Sequence, residues 1–283
     1  MIVRERPNAL TLLYTMRGSI VPTIAPRVAV VVAVAALVTW VARIEPHLFQ
    51  GLSPAPLTLT GLALSIFLGF RNNACYDRWW EGRRQWGQLI AEAYGFTRDA
   101  RGLLDPPAAR VAGLRLAAFA EALRAQLRGQ PATETPQAVL LAQSDAFAAL
   151  FRSGELSDVQ YRLFSDRLQA LTNIQLACER LASTPLPFAY SLLVHRTAWL
   201  FCLFAPFGLV GTMGLGTPVA AAVLAYAFFG LDALGEELEA PFGESQNALP
   251  INALQRATER AVLATLGDAD LPPPLEPVDH LLL

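Results

Sequence analysis

The chain has 283 residues, of which 53% are hydrophobic and only 16% are charged, and its formal net charge is −2. Ordinary soluble domains carry about 25% charged residues, so this composition and the mean hydropathy of +0.36 favour a membrane protein. A near-neutral charge excludes the basic footprint of a nucleic-acid-binding protein, so we expect no nucleic-acid partner.

The cysteines and the catalytic motifs give no sign of a metal or of an enzyme. Cys75, Cys178 and Cys202 are far apart, odd in number and without a CxxC spacing, which speaks against a disulfide framework or a zinc site. The sequence contains no HExxH, GxSxG or P-loop motif. We therefore expect no cofactor, no metal and no enzymatic activity.

The first two predicted regions are an N-terminal segment and a membrane hairpin. Residues 1–20 lack the basic, apolar and small-residue order of a cleaved signal, so we expect a cytosolic segment of the mature protein. A bilayer core needs about 20 apolar residues as a helix, and 21–42 and 54–70 supply two such stretches. Arg27 lies near one end of the first, where its side chain can reach the interface. Region 21–86 is thus predicted to hold membrane helices 1 and 2.

The second membrane helix carries a regular apolar ridge, Leu62, Ile66 and Phe70. Residues four apart drift by only about 40° around a helix, so these three side chains stack on one face. A line of small residues, which lets helices approach closely in lipid, adjoins the ridge: Gly61, Ser65 and Gly69. Spacing alone leaves open whether the ridge packs, contacts lipid or lines a pore between symmetric copies, where apolar rings act by wetting and dewetting.

Residues 87–186 are predicted to form a cytosolic helical domain. They contain no stretch that could span a membrane, yet 114–127 and 159–181 carry apolar residues at helical spacing. Asp105 before Pro106 is typical of a helix start, because a capping carboxylate precedes a proline whose missing N–H is tolerated in the first turn. The chain is therefore predicted to be all-α, with long helices extending from the membrane into this domain.

A second membrane hairpin is predicted over residues 187–235. From Thr197 to Leu231 there is no charged residue, and one helix of that length would measure about 53 Å, too long for one crossing. The glycines and Pro218 within 208–218 favour a turn there. The third and fourth membrane helices would lie on either side of it.

Arginines set the orientation, and acidic residues mark one end of the last helix. The loops on one side of the predicted spans carry nearly all the arginines, which places both termini in the cytoplasm. Residues 236–283 form a predicted cytosolic C-terminal segment, whose proline-rich end is expected to be extended. Carboxylates at the cytosolic end of the fourth span are candidates for attracting cations, or alternatively for interface or subunit contacts: Asp232, Glu236, Glu237 and Glu239.

Three motifs stand in order along this background. GFRNNACYDRWW ends the second membrane helix, TPLPFAYSLL covers 184–193, and EELEAPFGESQNALP covers 236–250. Together they resemble the bestrophin family of ion channels, closest to its bacterial branch. The resemblance implies a homopentamer of four-span subunits around a central pore in the bacterial inner membrane. Its partners would be membrane lipid and permeant monovalent ions.

The resemblance also implies roles for particular residues. Carried over residue by residue, the family's hydrophobic neck falls on the apolar ridge. A second constriction in the cytosolic part would lie near Val159 or Gln160, by counting back from Tyr190. Eukaryotic bestrophins bind calcium through carboxylates directly after Pro-Phe-Gly, since Ca²⁺ needs about six to eight oxygen ligands. Here the five residues after Gly243 include one carboxylate, Glu244, so we expect calcium-independent opening.

The leading interpretation is a passive channel for monovalent ions. Bacterial bestrophin-like proteins are associated with cations such as sodium, whereas the animal members carry anions, and the acidic cluster agrees with cations. An anion (chloride) channel of the same fold is the alternative. Two further classes are a membrane enzyme, in which His195 acts with nearby carboxylates, and a non-conducting scaffold.

Overall fold

A computed structural model of the protein describes residues 1–3, 18–49, 51 and 53–283. Most of the predicted N-terminal segment lies outside these described residues. The regular structure of the described part is helical, which confirms the predicted all-α class. Its α-helices are α1 (Val21–Ile44), α2 (Ala55–Leu103), α3 (Pro106–Leu127), α4 (Pro136–Arg152), α5 (Asp158–Ser183), α6 (Phe188–Met213), α7 (Thr217–Glu239) and α8 (Ile251–Leu266).

Side-chain caps fix the starts of the three central helices. The Asp105 carboxylate accepts a hydrogen bond from the backbone N–H of Ala108 at 3.2 Å, which confirms the predicted start of α3. Thr135 caps α4 in the same way. At the start of α5, Ser157 and Gln160 form a reciprocal capping box. Local sequence chemistry therefore sets the starts of α3, α4 and α5.

The long uncharged stretch folds as two helices, as predicted. A short 3-10 helix, Gly214–Gly216, separates α6 from α7, and Gly214 has φ +51°, a positive value that favours glycine. By length and composition, two stretches of the described chain could cross a membrane: Val21–Ile44 and Phe188–Glu239. The second contains both α6 and α7. The apolar part of α2 is shorter, because its uncharged run ends at Phe70.

The chain divides into two compact units. The first, called here the helical-domain unit, comprises residues 1–3, Trp79–Thr184 and Ala240–Leu283. The second, called here the apolar-helix unit, comprises the described residues from 18 to 78 and Pro185–Glu239. Helix α2 contributes its first half to the apolar-helix unit and its second half to the other.

Stacked aromatic rings lie at the centre of the helical-domain unit. The rings of Phe147 and Phe164 are stacked with centroids 4.4 Å apart, and Phe96 lies 6.0 Å from each. These residues come from α4, α5 and α2, and all three are buried. The apolar faces predicted for 114–127 and 159–181 supply much of the remaining core.

Four helices build the core of the apolar-helix unit. Leu64 and Leu68 of α2 are buried with Val31 of α1, Ala198 of α6 and Phe229 of α7. Many of the other core positions of α1, α6 and α7 are alanines, which allow helix backbones to lie close together. The packing therefore depends on one face of α2 being turned toward the other three helices.

Candidate functional site

The apolar ridge lies on the face of α2 that its own unit leaves uncovered. Leu62, Ile66 and Phe70 are 61%, 50% and 64% exposed. Leu64 and Leu68 lie roughly opposite on the same helix and are buried. One face of α2 is therefore a contact within the subunit, and the ridge is free to meet lipid or another copy of the chain.

The small-residue line is used unevenly within the subunit. A Cβ atom on Gly61 would lie 2.9 Å from Cε2 of Phe201, so the glycine lets α2 and α6 approach closely. The Ser65 hydroxyl donates to the Gly61 carbonyl oxygen at 2.8 Å. A Cβ on Gly69 would meet no other group of the described chain within 4 Å. Close packing inside the subunit thus rests on Gly61.

A buried ion pair follows directly after the ridge. The side chains of Arg71 on α2 and Asp232 on α7 are 2% and 1% exposed. Nη1 of Arg71 donates to Oδ1 of Asp232 at 2.8 Å and to the Asp232 carbonyl oxygen at 3.1 Å. Taking both charges out of water is costly, so an enclosed pair requires close, hydrogen-bonded geometry of this kind. The pair joins α2 to α7 one residue beyond Phe70.

The other carboxylate oxygen of Asp232 is contacted from two more helices. Nδ1 of His195, on α6, lies 2.7 Å from Oδ2 of Asp232. Nη1 of Arg27, on α1, lies 3.6 Å from the same oxygen. One carboxylate therefore connects α7 with α1, α2 and α6. We call this cluster of Arg27, Arg71, His195 and Asp232 the Asp232 node.

The acidic residues considered as an ion-attracting cluster do not form one open patch. Asp232 is enclosed in the node, and Oε2 of Glu239 lies 3.6 Å from Nη2 of Arg71. Oε1 of Glu239 also accepts a hydrogen bond from the backbone N–H of Leu186 at 3.0 Å. Glu236 is exposed. Because arginine neutralises Asp232 and Glu239, these two carboxylates are not available to attract cations.

Two residues of the node, together with Glu236, carry donor atoms with metal-site spacing. Ligand atoms of His195, Asp232 and Glu236 lie within 4.8 Å of one another. However, the guanidinium groups of Arg71 and Arg27 already face Asp232, and they would repel a divalent cation. The arrangement is that of a charge cluster rather than a metal centre. The enzyme interpretation that used His195 as a ligand gains no support from it.

The residues expected at a cytosolic constriction lie in the first turn of α5. Val159 is 79% exposed. The amide oxygen of Gln160 accepts from the backbone N–H of Ser157 at 2.9 Å, so this side chain is occupied by the capping box. Of the two, Val159 is the side chain that is free to project from the subunit.

The segment after Pro-Phe-Gly, residues 244–248, lies next to an arginine. Nη1 of Arg128 lies 3.8 Å from Oε1 of Glu244, and the amide of Gln130 donates to the same oxygen at 3.4 Å. The Arg128 side chain is almost entirely buried, and this burial lowers the pKa of its guanidinium, which Glu244 partly offsets. A cationic neighbour makes the single carboxylate a poorer ligand for Ca²⁺.

The sequence interpretation did not foresee the Asp232 node. It considered Arg71 only as part of the GFRNNACYDRWW motif, and it considered Asp232 as one of four carboxylates that attract cations or make interface or subunit contacts. A usable signal was present, since each residue directly follows a long uncharged stretch, and ionisable groups at such positions are usually paired. Only the folded structure shows that Arg71 and Asp232, at the ends of these two stretches, are in contact.

The chain is similar to several curated proteins over nearly its whole length. The family profile described as "Bacterial/Fungal Bestrophin protein" matches residues 1–144 and 130–264. A voltage-dependent anion channel-forming protein of Mesorhizobium japonicum is 42% identical over 298 aligned residues, which cover 99% of this chain and 96% of that protein. The voltage-dependent anion channel-forming protein YneE of Escherichia coli K12 is 36% identical, with 100% of both chains covered.

Solved structures give the same relationship. The crystal structure of a bacterial bestrophin homolog from Klebsiella pneumoniae is 35% identical, with a TM-score of 0.83, and the match covers 87% of this chain and 100% of that one. A crystal structure of a point mutant of a bacterial bestrophin homolog from the same organism has a TM-score of 0.82 at 34% identity and covers 86% of this chain and 99% of that one. The predicted resemblance is confirmed, and the chain belongs to the bacterial and fungal bestrophin family.

Proposed function

We propose that this protein is an ion channel of the bacterial inner membrane, that it assembles as a homopentamer, and that it conducts anions. The apolar ridge of Leu62, Ile66 and Phe70 would form its hydrophobic neck. The observation that carries this proposal is the exposure of the ridge on a helix whose opposite face is packed inside the subunit. Five such faces around an axis would place three apolar rings along one path.

The choice of anions replaces the cation preference expected from the sequence. Curated relatives at 42% and 36% identity carry the name of anion channel-forming proteins. The acidic residues that agreed with cations give little support, because arginine neutralises Asp232 and Glu239. Membership of the family and the names of the relatives therefore favour the alternative of an anion channel over a sodium channel.

The membrane arrangement that goes with this function has four spans. Helices α1, α6 and α7 and the uncharged first part of α2, residues 55–70, would cross the bilayer, and both termini would lie in the cytoplasm. The helical-domain unit would then be cytosolic. Within it, Val159 is the candidate for the second constriction, because its side chain is exposed at the start of α5.

Reversal potentials test the proposed selectivity. Purified protein is reconstituted in a planar bilayer with a gradient of about tenfold in potassium chloride, which separates the equilibrium potentials of the two ions. An anion channel gives zero current close to the chloride equilibrium potential. A reversal potential close to that of potassium contradicts anion conduction, and the complete absence of current contradicts the channel. Native mass spectrometry of the same preparation should give five copies per assembly.

A further inference from the structure

The ridge and the Asp232 node are joined by consecutive residues on one rigid helix. Phe70 is the last residue of the ridge, and Arg71 is the α2 residue that Asp232 holds. Neighbouring residues on a helix point about 100° apart. The direction of Arg71 therefore determines the direction of Phe70, and with it the direction of the whole ridge.

Further polar contacts hold the same part of α2. The side-chain amide of Asn72 donates to the Leu231 carbonyl oxygen at 3.1 Å, and the Tyr190 hydroxyl donates to the Phe67 carbonyl oxygen at 3.0 Å. A Cβ atom on Gly235 of α7 would lie 2.6 Å from Oδ1 of Asn72 and 3.1 Å from Nη1 of Arg71. Backbone and side chains of α7 therefore enclose the beginning of the polar part of α2.

The strength of this connection comes from burial. At 2% exposure the Arg71 guanidinium cannot replace Asp232 by water, and a buried charge that loses its partner is strongly unfavourable. Turning α2 about its axis would separate Arg71 from Asp232. The apolar contacts of Leu64 and Leu68 determine which face of α2 is buried, but they are non-directional and so define the angle of the helix less sharply than the ion pair does.

We propose that Asp232 is a positioning residue for the neck: by holding Arg71, it fixes the rotation of α2 and keeps the apolar ridge turned toward the conduction path. His195 and Arg27 contact its second oxygen from α6 and α1, and so hold the carboxylate itself in place. This role rests on the proposed neck. A buried charge pair that is not part of the neck would set the direction of the side chains that form it.

The test separates positioning from simple stability. In the double variant Arg71→Leu/Asp232→Leu, apolar side chains replace the pair, a change that proteins often tolerate without loss of stability. Glu239 keeps its hydrogen bond from the backbone N–H of Leu186, and Arg27 and His195 can be hydrated because their side chains are 26% and 33% exposed. We expect an assembled protein with a melting temperature near that of the parent. Because the ridge would no longer be held toward the axis, we expect the mean current to rise by about threefold or more.

A second variant displaces Arg71 without altering any charge. Gly235→Ala places a methyl group against Arg71 and Asn72, so we expect it to raise the current in the same direction. Its matched control is Gly230→Ala on the same helix, where the nearest group is an ordinary contact, Cδ1 of Ile24 at 3.8 Å. Glu236→Gln is the control for charge, since it removes an exposed carboxylate from α7 close to the node.

A second measurement reports the direction of the ridge itself. Ile66→Cys is introduced into the parent and into each variant, and its rate of reaction with a water-soluble methanethiosulfonate is followed through the current. Positioning predicts that the rate differs from the parent by about threefold or more in the double variant and in Gly235→Ala, but not in the two controls.

The outcomes distinguish this role from the proposed function. Assembled variants with parental current and parental Ile66→Cys reactivity would overturn the positioning role. Failure of both the double variant and Gly235→Ala to assemble would also overturn it, because a purely structural role would then suffice. If Glu236→Gln changed the current and the Ile66→Cys reactivity as much as the double variant does, the cause would be the local electrostatic field and not the positioning of the ridge. A parent protein without current would contradict the channel itself.

Discussion

Phe70 and Arg71 are consecutive on α2, yet the first is 64% exposed and the second is 2% exposed. Between these two residues runs the boundary between two faces of α2: one packs inside the subunit, and the other is exposed. Hydrophobic burial alone would favour the opposite arrangement. The buried partner of Arg71, Asp232, reverses that preference at this position.

Shortening the ridge should ease permeation. We expect the triple variant Leu62→Ala, Ile66→Ala and Phe70→Ala to raise the mean current several-fold, because smaller apolar rings are wetted more readily. Planar-bilayer recording of reconstituted protein measures this. The control is Leu37→Ala, which shortens an exposed side chain on α1. Equal currents in the triple variant and the parent, with intact assemblies, would refute the neck.

Calcium should have no steep effect on the current. The segment after Pro-Phe-Gly offers Glu244 as its one carboxylate, and Arg128 lies 3.8 Å from it. We expect currents in a calcium chelator and in micromolar free calcium to agree within the scatter of repeated recordings. A current that depends on added calcium, and that is lost in Glu244→Gln, would show that this segment does bind the ion.

The close approach of α2 and α6 should tolerate no side chain at Gly61. A Cβ there would lie 2.9 Å from the ring of Phe201, which is itself packed against Phe228 with ring centroids 4.9 Å apart. We expect Gly61→Ala to be less stable than Gly69→Ala, by about 1–3 kcal/mol in the free energy of unfolding. Both changes gain the same helix propensity, so the difference isolates the contact with Phe201.

Thermal unfolding in detergent, followed by intrinsic fluorescence, measures the pair of glycine variants. Gly69→Ala should unfold at or above the parental temperature, because its Cβ meets nothing within 4 Å in the described chain. Equal unfolding temperatures for the two variants would show that Phe201 moves aside without cost.

Cys178 should not react with alkylating reagents in the folded protein. Burial, followed by the nearby Glu81 and Glu179 carboxylates, raises the pKa of this thiol to about 12. The reactive thiolate is therefore scarce below that pH, and we expect no labelling by iodoacetamide at pH 8. Leu176→Cys, on the exposed side of the same helix, is the positive control. Rapid labelling of Cys178, identified by peptide mass spectrometry, would show that α5 opens.

Those parts of the fold that depend on local chemistry could be predicted from the sequence. The Asp105 cap and the break at Gly214 depend on residues that are close together in the sequence, and both are found in the structure. The ridge could also be located, because its spacing of four residues places it on one helix face. What that face meets could be inferred only from family resemblance.

The parts that were missed depend on contacts between distant residues. Arg71 and Asp232 are 161 positions apart, and no periodicity relates them. Their pairing removes a charge from the acidic cluster, which had agreed with the cation preference taken from the family resemblance. Gln160 was similarly proposed for a constriction, but its side chain accepts a hydrogen bond from the backbone N–H of Ser157, three residues earlier. For both Asp232 and Gln160, the sequence drew attention to the residue but did not reveal the group to which its side chain is bound.

The most direct measurement of the central claim is the current through Ile66→Cys channels before and after a charged, water-soluble methanethiosulfonate is added. The native cysteines of the chain are buried, so the introduced thiol is the accessible one. If the ridge lines the conduction path, the current should change within seconds of addition and recover on reduction. An unchanged current in protein that mass spectrometry shows to be fully modified at position 66 would place Ile66 outside the path.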